Sequence, residues 1–210
     1  MSSKDTILQS LRRNRPAPAE LPDLNCTWTT YSDPRAKFIE VLESVGGKAI
    51  IASGIADLNN QLPKLPQIST SQKVASLVPG VGSPNVDAAA VDSPHALADV
   101  DVAILHGEFA VAENAAVWVT DHNMSHRVLY FLCQHLILVV PAGAIVDHMH
   151  AAYERIAATS QNGRPAFAEP VFGVFISGPS KTADIEQSLV VGAHGPRSLT
   201  VCLVEGQGVQ

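Results

Sequence analysis

Residues 172–197 read FGVFISGPSKTADIEQSLVVGAHGPR, and this stretch decides the fold class. An apolar run is followed by the turn Gly178-Pro179, a helical pattern over 180–191 and a small-residue turn over 192–197. A final apolar run, LTVCLVE, comes next. The order strand, turn, helix, turn, strand is typical of an α/β protein, in which polar turns at the ends of a helix build a site.

Composition and pattern extend this interpretation to the whole chain of 210 residues. Hydrophobic residues make up 46% and aromatics only 5%, which suits buried parallel strands covered by helices. Seven strand-like runs alternate with helical patterns at both ends but adjoin one another in the middle. The sequence therefore predicts a three-layer α/β/α fold with a mixed, mostly parallel sheet. We expect an N-terminal helix and arm over residues 1–32 and the α/β domain over 33–210.

Two further helices stand out in the pattern. Asp33 and Pro34 are a favoured cap and first-turn pair, and they predict a helix that ends at Gly46. The longest predicted helix covers 143–159.

The charge and the cysteines limit the possible functions. A formal charge of −6 without an extended basic run argues against nucleic acid or an anionic membrane as partner. No apolar stretch is long enough to span a bilayer, and the N-terminus lacks an apolar signal region, so a cytoplasmic protein is expected.

Cys26, Cys133 and Cys202 are too scattered to form a disulfide framework or to bind an iron–sulfur cluster. Cys133 and Cys202 lie in apolar runs and should be buried.

The segment GPSKT invites comparison with a phosphate-binding P-loop but lacks its glycines, one of which is replaced by Ser180. Two interpretations remain open. Ser180 or Thr182 caps a helix whose dipole is complemented by Asp184 and Glu186. Alternatively, Gly178 and Pro179 begin a ligand-binding turn to which Lys181 and Thr182 contribute donors.

The turn GAHGPR carries His194, Gly195 and Arg197. A histidine and an arginine on a glycine-rich turn would bind a small carboxylate or phosphate. The alternative is that both cations only stabilise the negative end of the preceding helix.

Glu113 interrupts an apolar run, AVAENAAVWV. A carboxylate in apolar surroundings must be paired or protonated, so Glu113 is a candidate catalytic residue. The alternative is a surface glutamate at a strand end.

Two pairs of potential ligands have helical spacing, His122 with His126 and Asp147 with His150. No third ligand accompanies either pair, and no metal site is predicted.

The stretch ISGPSKTADIEQSLVVGAHGPRSLTVCLVE resembles the C-terminal signature of the lactate-utilisation protein C family, also called the LUD domain. The family pattern is close to GPSRTADIE, then GxHGPR and a final strand. AENAAVWV resembles the family's AETGT segment, and HLILVV resembles its histidine-led strand, which places His135 on the family position. Lys181 replaces the commoner arginine, and Asn114-Ala115-Ala116 replaces Thr-Gly-Thr.

The resemblance implies a fold like that of the NagB/RpiA/CoA-transferase group and a role in oxidising L-lactate to pyruvate. It also implies partner subunits that carry iron–sulfur clusters, while this chain itself binds no cofactor. Glu113, the GPSKTADIE turn and the GAHGPR turn would converge on a cleft at strand ends. Arg197 or Lys181 would hold a carboxylate there, and His135 or His194 would move a proton.

Two other functions remain open. The chain is a stand-alone ligand-binding protein, or a transferase- or isomerase-like enzyme acting on a CoA ester or sugar phosphate, with Glu113 as nucleophile or base. Alternatively, it is an assembly subunit with no chemistry of its own.

Overall fold

The computed structural model describes residues 2–20, 22–23, 26–122, 124–161, 172–184 and 187–206. The helices are α1 Ser3–Arg13, α2 Pro34–Ser44, α3 Ile55–Gln61, α4 Pro66–Ser69, α5 Leu129–Leu132 and α6 Met149–Gln161. The strands are β1 Lys48–Ala52, β2 Val74–Ser76, β3 Val102–His106, β4 Phe109–Val111, β5 Ala116–Thr120, β6 His135–Pro141, β7 Ile145–Val146, β8 Gly173–Ile176, β9 Lys181–Thr182, β10 Val190–Val191 and β11 Ser198–Val204.

A five-stranded parallel sheet forms the centre, in the order β1-β11-β6-β3-β2. Its middle strand β6 is buried on both faces: Leu136 and Leu138 pack on one side, Ile137 and Val139 on the other. Both faces of a parallel sheet must be covered, which explains the continuous apolar runs in the sequence. The predicted α/β class with a mostly parallel sheet is confirmed.

A second sheet, in the order β7-β4-β5-β8, shares a core with one face of the central sheet and with α2. Its far side packs against α6, where Phe109 and Val111 meet Ala152 and Ile156. The opposite face of the central sheet packs against α3 through Leu58. The sequence pattern did not predict β4, because three residues are too few to show a strand periodicity.

The helix predicted over 180–191 is wrong. Lys181–Thr182 and Val190–Val191 pair instead as two antiparallel strands, β9 and β10. The Ser180 carbonyl accepts a hydrogen bond from the Gly192 amide at 2.8 Å, so the segment pairs across the hairpin rather than along a helix. The proposed cap at Ser180 or Thr182 therefore caps no helix.

The longest helix begins later than predicted. The expected helix over 143–159 is replaced at its start by β7, Ile145–Val146, and α6 begins only at Met149. β7 pairs with β4 in parallel, with Ala110 opposite Ile145. Tertiary pairing thus overrides the local helical pattern here.

Other predictions are confirmed. Asp33 caps α2 by accepting the Ala36 amide at 2.9 Å. Cys133 and Cys202 are buried. Helix α1 forms as expected, with Ser2 and Asp5 in a reciprocal capping box. Among the described helices, none has the length and apolar character needed to cross a membrane. The division at residue 32 stays a prediction.

Candidate functional site at the amino edge of the central sheet

The C-terminal signature lies where β6 and β11 begin. Two backbone hydrogen bonds fix this arrangement: the Arg197 amide donates to the Gln134 carbonyl at 2.8 Å, and the Ser180 amide donates to the Pro196 carbonyl at 2.9 Å. The GPSKT and GAHGPR turns are thereby joined to each other and to His135, the first residue of β6. The family resemblance implied that these turns meet at strand ends, and in the structure the two turns lie at the amino edge of the parallel sheet.

The GPSKT turn packs against the C-terminal end of α2. Gly178 has a φ of +71°, and a Cβ there would lie 3.0 Å from the Val45 carbonyl oxygen, so only glycine fits this close approach. The Lys181 ammonium donates to the same carbonyl. Lysine at the negative end of a helix is stabilising, so Lys181 has a structural role whether or not it binds a ligand.

The GAHGPR turn places His194 and Arg197 at the surface. A Cβ at Gly195 would lie 3.0 Å from the Ser180 Cβ, so the glycine lets the two turns pack together. Because the preceding segment is a strand, the interpretation of His194 and Arg197 as cations at a helix end is wrong. Their exposure leaves both available to an anionic ligand.

His135 is half-buried, and its Nδ1 lies 2.8 Å from the Ser198 Oγ. Burial lowers the pKa of His135, the positive charge of Arg197 lowers it further, and Asp101 opposes both effects. A neutral imidazole at this edge can accept a proton from a bound hydroxyl.

Asp101 stands beside this histidine. Its Oδ2 accepts the Lys73 and Gln72 amides at 2.9 and 2.8 Å, which lowers the pKa of the carboxyl group. Sequence reasoning missed Asp101 and Ser198; the available signal was that both directly precede or begin a buried strand.

Glu113 lies at the surface, in the turn between β4 and β5. Its Oε1 accepts the Met149 amide at 2.7 Å, at the first residue of α6. The surface alternative is thus confirmed and the buried alternative is wrong. The turn still reaches the signature, since the Ser177 hydroxyl donates to the Asn114 carbonyl at 2.7 Å.

The substitution of Thr-Gly-Thr by Asn114-Ala115-Ala116 has a backbone consequence. Ala115 has a φ of +54°, in the left-handed region that favours glycine. The family glycine therefore corresponds to a backbone conformation that this chain retains with an alanine.

The remaining candidates are spread around the turns. Thr182 ends β9, and Asp184 is exposed in the turn that follows it. Glu186 lies outside the described residues. The proposed helix-dipole role of Asp184 is wrong, because no helix begins at Ser180.

Neither pair of potential ligands gains a third ligand among the residues that the structure describes. His126 Nε2 lies 2.8 Å from the Val91 carbonyl oxygen, and the Asp147 carboxylate accepts the Tyr31 amide at 2.9 Å. His150 stacks on Trp28, with ring centroids 3.4 Å apart. Within the described parts of the chain, no three His, Cys, Asp or Glu side chains come together as a metal site.

Comparison with known proteins shows which family this chain is similar to. A model of the LUD domain matches residues 68–204. Lactate utilization protein C of Geobacillus thermodenitrificans strain NG80-2 is 33% identical over 124 residues, which are 59% of this chain and 47% of that protein. Its counterpart in Shouchella clausii strain KSM-K16 is 36% identical over 104 residues, covering 50% of this chain and 43% of that protein. The chain thus spans about half the length of the curated relatives that it matches.

A solved structure shares the fold. The crystal structure of a DUF162 family protein from Deinococcus radiodurans superposes with a TM-score of 0.54 at 22% identity. The match covers 82% of this chain and 98% of that one. This likeness supports the fold alone.

Proposed function

Because this chain belongs to the LUD domain family, we propose that it takes part in lactate utilisation, as a subunit working with iron–sulfur partner subunits that oxidise L-lactate to pyruvate. The family match carries the proposal. It spans residues 68–204 and so includes Glu113, His135 and both signature turns.

The amino-edge surface suits a small carboxylate. Arg197 is exposed, and a guanidinium can bind a carboxylate through two parallel hydrogen bonds. His135, whose pKa is lowered by burial, or His194 would accept the hydroxyl proton. Oxidation to pyruvate releases two protons and two electrons, and the electrons would pass to the clusters of the partner subunits.

The same surface has an apolar component that a partner subunit would cover. Leu189 and Val191, on or beside β10, are 66% and 46% exposed, and Phe131 is 41% exposed. The Phe131 carbonyl lies 3.8 Å from where a Gly195 Cβ would stand, so this residue adjoins the GAHGPR turn. A contiguous exposed apolar patch rimmed by polar residues marks an interaction surface, and a partner subunit seated here would bury these three side chains.

Co-expression tests the proposal. This chain should co-purify with the cysteine-rich and ferredoxin-like proteins of its genomic neighbourhood, and the assembly should reduce a dye when L-lactate is supplied. Arg197→Gln should raise the KM for lactate about 10-fold or more, since a charge-assisted hydrogen bond contributes about 1.5–3 kcal/mol. Arg12→Gln, on the exposed helix α1, is the matched control and should leave KM unchanged. Failure both to co-purify and to reduce dye would contradict the proposal.

The alternative of a stand-alone transferase or isomerase gains no support from the position of Glu113. A nucleophile or base needs a carboxylate free to reach the substrate. The Glu113 carboxylate accepts the amide at the start of α6 instead.

A further inference from the structure

A cavity of about 730 Å³ lies at the carboxyl edge of the central sheet, opposite the edge that carries the signature turns. It is bounded by Pro141 at the end of β6, Val204 at the end of β11 and Arg35 at the start of α2. Its volume is in the range of about 300–1,000 Å³ that small-molecule sites occupy. Open parallel sheets bind ligands at their carboxyl edge, where loops leave a crevice between strand ends.

One ion pair lies in the wall of this cavity. Arg35 Nη1 lies 2.9 Å from Glu205 Oε1, and the two side chains are 43% and 53% exposed. Such an exposed pair is weak and readily exchanged, because water screens the attraction and both side chains lose rotamer freedom. A ligand carboxylate can therefore engage the guanidinium in place of Glu205 at little cost.

The other lining residues determine which ligand charge and which ligand body the cavity favours. Pro141, Ile145 and Val204 provide apolar surface. Asp33 also lines the cavity, but its Oδ1 accepts the Ala36 amide. With the carboxylates of Asp33 and Glu205 both present, a doubly charged anion such as phosphate would be repelled more than a singly charged one.

We propose that this cavity is a binding site for an organic acid, whose single carboxylate pairs with Arg35 and whose apolar body lies against Pro141, Ile145 and Val204. Glu205 competes with the ligand for Arg35. The proposal is independent of lactate oxidation, because the cavity and the amino-edge turns lie at opposite ends of β6 and β11.

Calorimetric titration of the full chain with hexanoate tests this site. Hexanoate should bind, while hexanol, which lacks the carboxylate, and inorganic phosphate should not. Arg35→Gln should weaken hexanoate binding about two- to five-fold, because a pair with this exposed guanidinium contributes at most about 1 kcal/mol. Glu205→Gln should tighten it about two- to five-fold, because removal of a competing exposed ion pair has a small effect of this order.

A second variant tests the cavity itself. Gly143 lines the cavity and a Cβ there meets no atom within 4 Å, so Gly143→Leu should occupy part of the cavity without displacing its neighbours. Gly54→Leu is the matched control, since Gly54 has equally open surroundings and does not line the cavity. Hexanoate binding should be weakened only in Gly143→Leu, with the thermal midpoints of both variants close to that of the parent chain.

Three results would overturn the proposal: no hexanoate binding at millimolar concentration, binding unchanged in Arg35→Gln or Gly143→Leu, or binding by phosphate in preference to hexanoate. None of them bears on lactate turnover, so failure here is distinguishable from failure of the proposed function.

Discussion

At the scale of single residues, two partly buried histidines contribute to the response to pH. Burial lowers the pKa of His135 and of His106 below the ordinary 6.5. Arg197 reinforces the effect at His135 and Asp101 opposes it, while at His106 Glu108 opposes it and His122 reinforces it. The Nδ1 of His106 is buried and finds no hydrogen-bond partner among the described residues, so a proton added there would be poorly accommodated.

We expect stability to fall as pH drops below 6.5. The folded state favours neutral imidazole, so this contribution is complete above the unfolded pKa and is lost as pH falls through the lowered folded pKa. The variant His135→Asn keeps a polar atom near Ser198 but removes the titratable group. Its loss of stability between pH 7 and 5 should therefore be smaller than that of the parent chain. Thermal midpoints at half-unit pH intervals measure this. An identical pH slope in the two proteins would contradict the assignment.

At the scale of elements, the start of α6 depends on the side chain of Glu113, which lies in the turn between β4 and β5. The Ala151 amide lies 3.2 Å from His148 Nδ1, and the Met149 amide donates to Glu113. The first amides of a helix lack intrahelical partners, and a carboxylate also complements the helix dipole. Glu113 is therefore a link between the β4–β5 turn and α6.

Glu113→Ala should lower the free energy of unfolding by about 1 kcal/mol, the usual cost of losing a helix-capping side chain. Glu113→Gln should lose less, because the amide oxygen still accepts the Met149 amide. Glu154→Ala, at an exposed position within α6, is the control and should change stability little. Urea denaturation measures all three. Equal stability of Glu113→Ala and the parent chain would contradict the capping role of Glu113.

At the scale of the whole molecule, two sheets pack face to face around Gly107. A Cβ at this position would lie 2.6 Å from Val117 Cγ1 in the second sheet and 2.7 Å from Val140 Cγ2 in the central sheet. Both valines are fully buried. The absence of a side chain at Gly107 therefore lets Val117 and Val140 pack closely around it.

Gly107→Ala should destabilise the protein by about 1–3 kcal/mol, the cost of overpacking a core. Gly143→Ala, where a Cβ meets open space, is the matched control and should be near neutral. Urea denaturation of both variants measures the difference. Similar midpoints would show that the sheets can separate slightly without cost.

Prediction from sequence succeeded where the signal was local or strongly periodic. The parallel strands are continuous apolar runs, and the start of α2 has its cap at Asp33. Prediction failed for β7, β9 and β10, since two-residue strands have no periodicity and exist only through their partners. The site was predicted as a set of turns, but the surface position of Glu113 and the roles of Asp101 and Ser198 depend on contacts far apart in the chain.

The sequence by itself determined the α/β class, the central strands and the turns at Gly178-Pro179 and over residues 192–197, because residue type governs burial and turn conformation. Only the tertiary structure decided that residues 178–197 enclose a hairpin rather than a helix. The backbone of Ser180 finds its partners at Gly192 and Pro196, and Lys181 finds the end of α2. These hydrogen bonds join residues whose contact cannot be inferred from the local sequence. Together they stabilise the hairpin over the helix that the spacing of apolar residues in 180–191 predicted.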